Sequence, residues 1–286
     1  MELAEIRVDT VASTTLPWQE TLIMPIGDVQ LGAQGCDEDR LRRDIQWGLK
    51  HNAYFVGMGE YLDIMSPSNR AKIRSAGVYD STIDALEKIV EIKIDDFLRL
   101  VKGSEGRWLG LLEGHHLFEF QDGTTCDTRI AQALKAPFLG TCAFIRVKFH
   151  RGKGSSRVTC MFWIHHGVGG GAKVSAPLNR LENIMPYFNA DIYLIGHQHK
   201  KVGAPMDQLY MTAKKPYDIK HRTKIIAGTG GYLKGYWKGA RMSGVNPRGS
   251  YVERAMLPPV ALGCIALYLR PAHGRHDDRL DINVSL

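Results

Sequence analysis

One pattern narrows the possible folds more than any other: an apolar run broken at a glycine, with two histidines beside the break, occurring three times. Tyr193-Leu194-Ile195-Gly196-His197-Gln198-His199 is the sharpest instance, and Leu111-Leu112-Glu113-Gly114-His115-His116 and Phe162-Trp163-Ile164-His165-His166-Gly167 repeat it. Such a run reads as a buried strand that stops at a sheet edge and turns at the glycine. Six of the eleven histidines fall in these pairs, more imidazole at strand ends than a core requires. Three such ends meeting at one rim make a nitrogen-rich pocket suited to zinc, manganese or iron.

The rest of the chain supplies a frame for those strands. Thr21 to Ile26 is continuously apolar and ends in Gly27-Asp28-Val29-Gln30, a buried strand that delivers an acid and an amide to its end. Asp37-Glu38-Asp39 opens a helix expected through about Asn52, with Leu41, Ile45 and Leu49 on one face. A second strand, Ala53 to Met58, ends in Gly59-Glu60-Tyr61-Leu62-Asp63. Strand, helix, strand is a βαβ unit, and ligands of open α/β sheets gather at the carboxyl ends of the strands. Ser66 to Asp80 is polar, carries Arg70, Lys72 and Arg74, and reads either as a loop over the site or as a solvated basic loop.

Further on, Ser81 to about Val101 reads as an amphipathic helix, Trp108 to Leu112 as a strand and Asp127 to Ala136 as a helix. Thr141 to His150 and Arg157 to Ile164 flank the turn Arg151-Gly152-Lys153-Gly154-Ser155-Ser156 as a hairpin. Leu178 to Phe188 is a helix; Asp191 to Ile195, Arg222 to Ala227 and Val260 to Leu269 are strands. Residues 1 to 20 read as a lead-in strand or arm, and the last residues as a polar tail. The βαβ half followed by an antiparallel half implies an α/β fold of two packed mixed sheets. Neither a repeat nor a long linker divides the chain. One domain over 1–286 is expected, with the motifs in a core of about 22–230 and C-terminal strands and tail over 250–286.

Composition excludes several classes. With 44% hydrophobic and 23% charged residues the chain can build a full core, and it has no apolar run approaching the roughly 18 to 20 residues of a membrane span. The opening Met1-Glu2-Leu3-Ala4-Glu5 is acidic, unlike a secretory signal. Cys36, Cys126, Cys142, Cys160 and Cys264 are scattered and never form C-x-x-C, which fits reduced thiols in a cytoplasm. A net charge of +7 favours anionic partners such as phosphates, nucleotides or nucleic acid, with no membrane.

The strand ends collect Asp28, Gln30, Glu60, His115, His116, His166, His197 and His199. Two bare dications about 4 Å apart repel strongly, so a paired site needs a bridging carboxylate, which Glu60 can be, with Asp28 as a terminal ligand. Neutral imidazoles fill the remaining positions without cancelling charge. Two dications and two carboxylates leave about two positive charges, suited to a phosphate ester and to acidifying a water.

This series resembles the calcineurin-like metallophosphoesterases, whose signature runs D-x-H, G-D-x-x-D, G-N-H-[DE], His before Gly, and G-H-x-H. Here it stands as Asp28-Val29-Gln30, Gly59-Glu60-Tyr61-Leu62-Asp63, Gly114-His115-His116, His166-Gly167 and Gly196-His197-Gln198-His199, in order from about residue 22 to 230. The His165-to-Gly171 run is similar to that of phage and prophage members. The resemblance implies a four-layer α-β-β-α sandwich and two divalent ions (zinc, manganese or iron). It implies Asp28, Gln30, Glu60 and His199 around the first ion and Glu60, His115, His166 and His197 around the second. His116 falls where the family protonates the leaving group or steadies the phosphoryl oxygens. Catalysis would rest on Asp28, Glu60 and His116, with a metal-bridging hydroxide attacking a phosphodiester or monoester in line. Gly169 and Gly170 would let the backbone approach substrate. His166 takes the ligand position because it directly precedes Gly167, and strand alternation puts His165 on the other face.

Three positions depart from the family: Gln30 for His, Glu60 for Asp, and His115 for Asn. All three can still bind metal, so the pattern is that of a reshaped site. Glu60 reaches about 1.5 Å further, one C–C bond; Gln30 is a weaker ligand; His115 tilts the second site toward zinc. Two alternatives accompany the phosphoesterase reading: a DNA or RNA nuclease, and a metal-binding protein with weakened turnover. Asp63 reads as a turn cap, with orienting a ligand as the alternative. Gly167 to Lys173 fails the phosphate-loop spacing of NTPases at Ala172. Tyr232, Lys234, Tyr236, Trp237, Lys238 and Arg241 form a basic-aromatic segment able to stack bases or to lie solvated.

Overall fold

The computed structural model describes residues 11–151, 157–213, 216–240, 249–273 and 278–286. The expected turn at 152–156, the first half of the lead-in segment, Arg241 and the side chain of Arg74 lie outside the described part. Among the described residues, twelve strands form two sheets. The larger one runs β1 (Val11–Pro17), β5 (Cys142–His150), β6 (Arg157–His165), β7 (Ile192–Ile195), β9 (Ile219–Gly231) and β10 (Gly263–Cys264), with β8 (Lys201–Met211) paired along β9. The smaller one runs β12 (Arg279–Ser285), β11 (Ala266–Ala272), β2 (Thr21–Ile26), β3 (Tyr54–Gly57) and β4 (Trp108–Leu111). Both are mixed: β2, β3 and β4 are parallel with β11 antiparallel to β2, and β6, β7 and β9 are parallel with β5 antiparallel to β6.

Alternation along the strands builds three cores. In β2, Ile23 faces the other sheet while Leu22 and Met24 face outward. Ile23, Val56 and Leu109 meet Ile145, Phe162, Leu194 and Ile225 between the sheets. The outer face of the smaller sheet packs on three helices, α1 (Glu38–Lys50), α3 (Asp80–Leu100) and α4 (Cys126–Ala133), through residues such as Leu41, Ile45, Phe97 and Ile130. The outer face of the larger sheet, with Trp163, Tyr193 and Ile226, packs on Leu181 of α5 (Ala176–Ile184). The result is the expected four-layer α-β-β-α sandwich. Helix α1 starts where its sequence says it should, with Asp37 accepting from the Arg40 N–H and two acids in the first turn.

Three expectations need correcting. The polar stretch after Ser66 is a helix, α2 (Pro67–Ala76), which Ser66 caps through the Asn69 N–H and which Gly77 ends at φ 63°. The polar tail is strand β12, antiparallel to β11 over its whole length. The strand expected at Arg222 to Ala227 extends to 13 residues and carries β8 as a hairpin partner. Beyond Ile225, the last β9 residue paired with β7, this hairpin projects as a two-stranded ribbon whose Leu209, Met211 and Ile219 are exposed. No described helix is long and apolar enough to cross a membrane.

Candidate metal centre

Each candidate residue stands just past the carboxyl end of a parallel strand. Asp28 and Gln30 follow β2, Glu60 follows β3, and His115 and His116 follow β4; His166 follows β6, and His197 and His199 follow β7. The two sheets thus each contribute part of one constellation. Five of these residues hold left-handed backbone: Asp28 (φ 48°), Gln30 (φ 56°), Glu60 (φ 57°), His197 (φ 65°) and His199 (φ 54°). Non-glycine residues rarely adopt it, and its concentration here marks a site whose geometry the fold enforces against local preference. Gly59 (φ 89°) is required for another reason: a Cβ there would lie 2.7 Å from His166 Nδ1 and 2.8 Å from Glu113 O.

Glu60 is the hub. Its Oε1 lies 3.3 Å from His166 Nε2 and accepts from the His115 N–H at 2.8 Å. Its Oε2 lies 3.6 Å from His116 Nδ1 and 3.3 Å from the donating Gln30 Nε2. One ligand atom each from Glu60, His115, His166 and His197 falls within 4.8 Å of all the others. The rings of His115, His166 and His197 stand edge to face, with centroids 4.7 to 5.4 Å apart. On the other side of Glu60, Asp28 Oδ1 is 3.9 Å from His199 Nε2.

Hydrogen bonding indicates what this cluster lacks. His166 Nδ1 is 2.7 Å from Met58 O, so it must carry the ring proton, and a neutral ring then presents its Nε2 lone pair to the interior. That nitrogen is buried without a hydrogen bond, and so are both carboxylate oxygens of Asp28. Without a cation, Glu60 and Asp28 raise His166 against the effect of burial, so that Nε2 takes up a proton facing Glu60 Oε1 at 3.3 Å. Buried acceptors left unpaired cost about 1–3 kcal/mol each, and more when charged. A cation among these atoms satisfies all of them, and the Nδ1-to-carbonyl bond on a ligating imidazole is the arrangement metal sites use. The donor set fits a divalent ion.

Protonation points the same way. Burial works to raise Glu60, but His166, His116 and the His115 N–H outweigh it and hold the carboxyl near 2. Burial and the neighbouring His166 and His115 push His197 down to about 4, and burial with His166 also lowers His115. Anionic Glu60 and neutral His115 and His197 are the forms that bind metal. Burial, with the neighbouring Glu60 carboxylate, raises Asp28 against the pull of His199 and His166.

Around this hub the structure gives specific contacts to residues that the sequence left with other or general readings. Asp63, expected as a turn cap, has its Oδ1 2.8 Å from His116 Nδ1 and so orients that ring. Asp127, fully buried at the start of α4, accepts from the Gly114 N–H at 2.8 Å and anchors the turn before His115; in sequence it looks like any acid in a helix's first turn. Arg70 of α2 places Nη1 2.6 Å from His115 O, 2.9 Å from Met65 O and 3.0 Å from Leu117 O. His165 lies on the opposite face as expected, accepting from the Gly167 N–H at 2.7 Å.

The cluster opens into a cleft of about 930 Å3 whose wall includes Gln30, Glu60, His116, Gly169, Gly170 and Trp237. Buried Lys200 donates to Gly171 O and Lys173 O and so pins the far end of the glycine run. Of the basic-aromatic segment, Tyr232 is fully buried with its hydroxyl 3.0 Å from Asp44 Oδ2, which removes it from any stacking role.

No protein-family model matches this chain, and no curated protein matches it. Solved structures similar to it include two Vps29 proteins. Wild-type Vps29 from Entamoeba histolytica, complexed with Zn2+, shares 11% identity over 92% of this chain and 99% of that one, with a TM-score of 0.35. Vacuolar protein sorting 29 from Cryptosporidium parvum shares 12% over 93% and 98%, with a TM-score of 0.32. What the cleft can do is decided by its own side chains.

Proposed function

We propose that this chain is a dinuclear metal-dependent phosphoesterase acting chiefly on phosphodiesters. The observation that carries the reading is the set of buried acceptors around Glu60 with no donor to meet them, supplied by strand ends of two sheets. Glu60, His115, His166 and His197 would hold one ion. Asp28, Gln30, Glu60 and His199 would hold the other, with Glu60 shared. Zinc, manganese or iron bound there supplies Lewis acidity and lowers the pKa of water. His116, aimed by Asp63 and lining the cleft, is placed to give a proton to the departing oxygen or to steady the phosphoryl group. Gly169 and Gly170 leave backbone open to substrate along the same wall.

Protein loaded with manganese or zinc should hydrolyse bis(p-nitrophenyl) phosphate, and Asp28→Ala or His197→Ala should each remove nearly all of that activity. Hydrolysis persisting in both variants would overturn the assignment. Gln30 favours a second reading, a metal-binding protein of weakened turnover, because its amide nitrogen, which is no metal ligand, donates to Glu60. Stoichiometric metal with no diesterase activity would select it. The net charge of +7 favours a nuclease within the same chemistry; cleavage of oligonucleotides separates that case from action on small esters.

A further inference from the structure

The cleft is far larger than a phosphoryl group needs, and its outer end is built from different side chains than its metal end. At about 930 Å3 it stands near the top of the ~300–1,000 Å3 range of small-molecule sites. The chain leaves β9 at Gly231, where a Cβ would meet Asp28 Cβ at 2.8 Å and His199 Nδ1 at 3.2 Å. It runs outward through Tyr232, whose N–H donates to Asp28 O, and Lys234, whose N–H donates to Gly35 O. Half-buried Trp237 then lies against Gly35, where a Cβ would come within 3.0 Å of its ring.

A second segment braces this arm. The Ser250 hydroxyl donates to Gly235 O, Val252 packs on Gly235, and the Tyr236 hydroxyl donates to Leu257 O at 2.7 Å. Tyr251, Val252, Leu257, Pro258 and Pro259 line the cleft together with Trp237. Gln198, between His197 and His199, also lines it, and both polar atoms of its amide are buried without a partner. A flat aromatic ring offers a face to the indole, which a hydrocarbon chain lacks.

Resting on the phosphoesterase reading for the metal end, we infer that the outer end of this cleft is a subsite for a planar, nucleobase-sized aromatic group of the ester, stacked on Trp237. The base-binding role thereby belongs to Trp237 within the basic-aromatic segment, since Tyr232 is sealed in the core and the Tyr236 hydroxyl is committed to Leu257.

Adenosine 5′-phosphate and ribose 5-phosphate differ only in the base, so their affinities for the manganese-loaded protein isolate the subsite. Stacking of one base is worth about 1–3 kcal/mol, so adenosine 5′-phosphate should bind at least about fivefold more tightly. Trp237→Ala should erase the difference and Trp237→Phe should keep most of it. In metal-free protein, saturation-transfer NMR should detect adenosine itself on the wild type and not on Trp237→Ala. Equal affinities for the two phosphates, or an adenosine signal untouched by Trp237→Ala, would overturn the subsite. Hydrolysis of bis(p-nitrophenyl) phosphate is scored separately: its absence beside a Trp237-dependent adenosine signal would remove the catalytic reading and uphold the base site.

Discussion

Gln30 and Glu60 divide the centre into unequal halves. Around His115, His166 and His197 the ligand atoms are already gathered, whereas the Asp28 half contributes an amide whose nitrogen faces Glu60 at 3.3 Å. One ion should therefore bind tightly and the other weakly. Dialysis against trace chelator followed by metal analysis should leave about one equivalent, and Gln30→His should raise that toward two because imidazole is the stronger ligand. Asp127 supports a pH prediction. Burial lifts it to about 6 from the usual 3.8, so the folded chain prefers its protonated form. Its contribution to stability is full below about pH 4, falls as the pH rises through about 6, and is lost above; two units correspond to about 3 kcal/mol at most. Asp127→Asn, which keeps an acceptor for the Gly114 N–H, should be more stable than wild type at pH 8 by about 1–3 kcal/mol and nearly equal to it at pH 4. Urea titrations of metal-free protein at the two pH values measure this.

Among the elements, α2 packs little and positions much. None of its described residues is buried, yet Arg70 gathers three carbonyls around the His115-His116 turn, and the Ile64 and Met65 N–H groups reach His116 O. Arg70→Ala should cost about 2 kcal/mol and speed hydrogen exchange at Ile64 and Met65, with Arg70→Lys intermediate because an ammonium lacks the planar fork. The same helix shows where sequence reading stops. β2, β4 and β7 are buried along their whole length and were legible as unbroken apolar runs. α2, β8 and β12 bury little, so no periodicity betrayed them. The Ser66-Pro67 start and the Gly77 stop of α2 are cap signals that also occur in loops. At the site, the candidate ligand residues stood out because glycines and strand ends flag them, while the roles of Asp63 and Arg70 depend on contacts 53 and 45 residues away.

Across the whole molecule, function concentrates at one rim while the β8–β9 ribbon carries apolar side chains into solvent. Leu209, Met211 and Ile219 are each about 70% exposed, and a two-stranded ribbon on its own is marginal in water. Replacing the three with Ser should reduce binding of a hydrophobic dye and leave diester hydrolysis unchanged, since none of them lines the cleft.

The constellation straddles a seam. Asp28, Gln30, Glu60 and His115 hang from the smaller sheet, and His166, His197 and His199 from the larger. Cations bound between them would act as rivets through the sandwich, so that occupancy would also be mechanical. At a free concentration a hundred times its dissociation constant, one such ion adds about 2.7 kcal/mol, or roughly 5–10 °C in Tm for a chain of this size. Chelation should lower the melting point of the whole protein, and Asp28→Ala should blunt that response. The stripped molecule would then be starved of metal and also poorly fastened, and its two halves would be the first to part on heating.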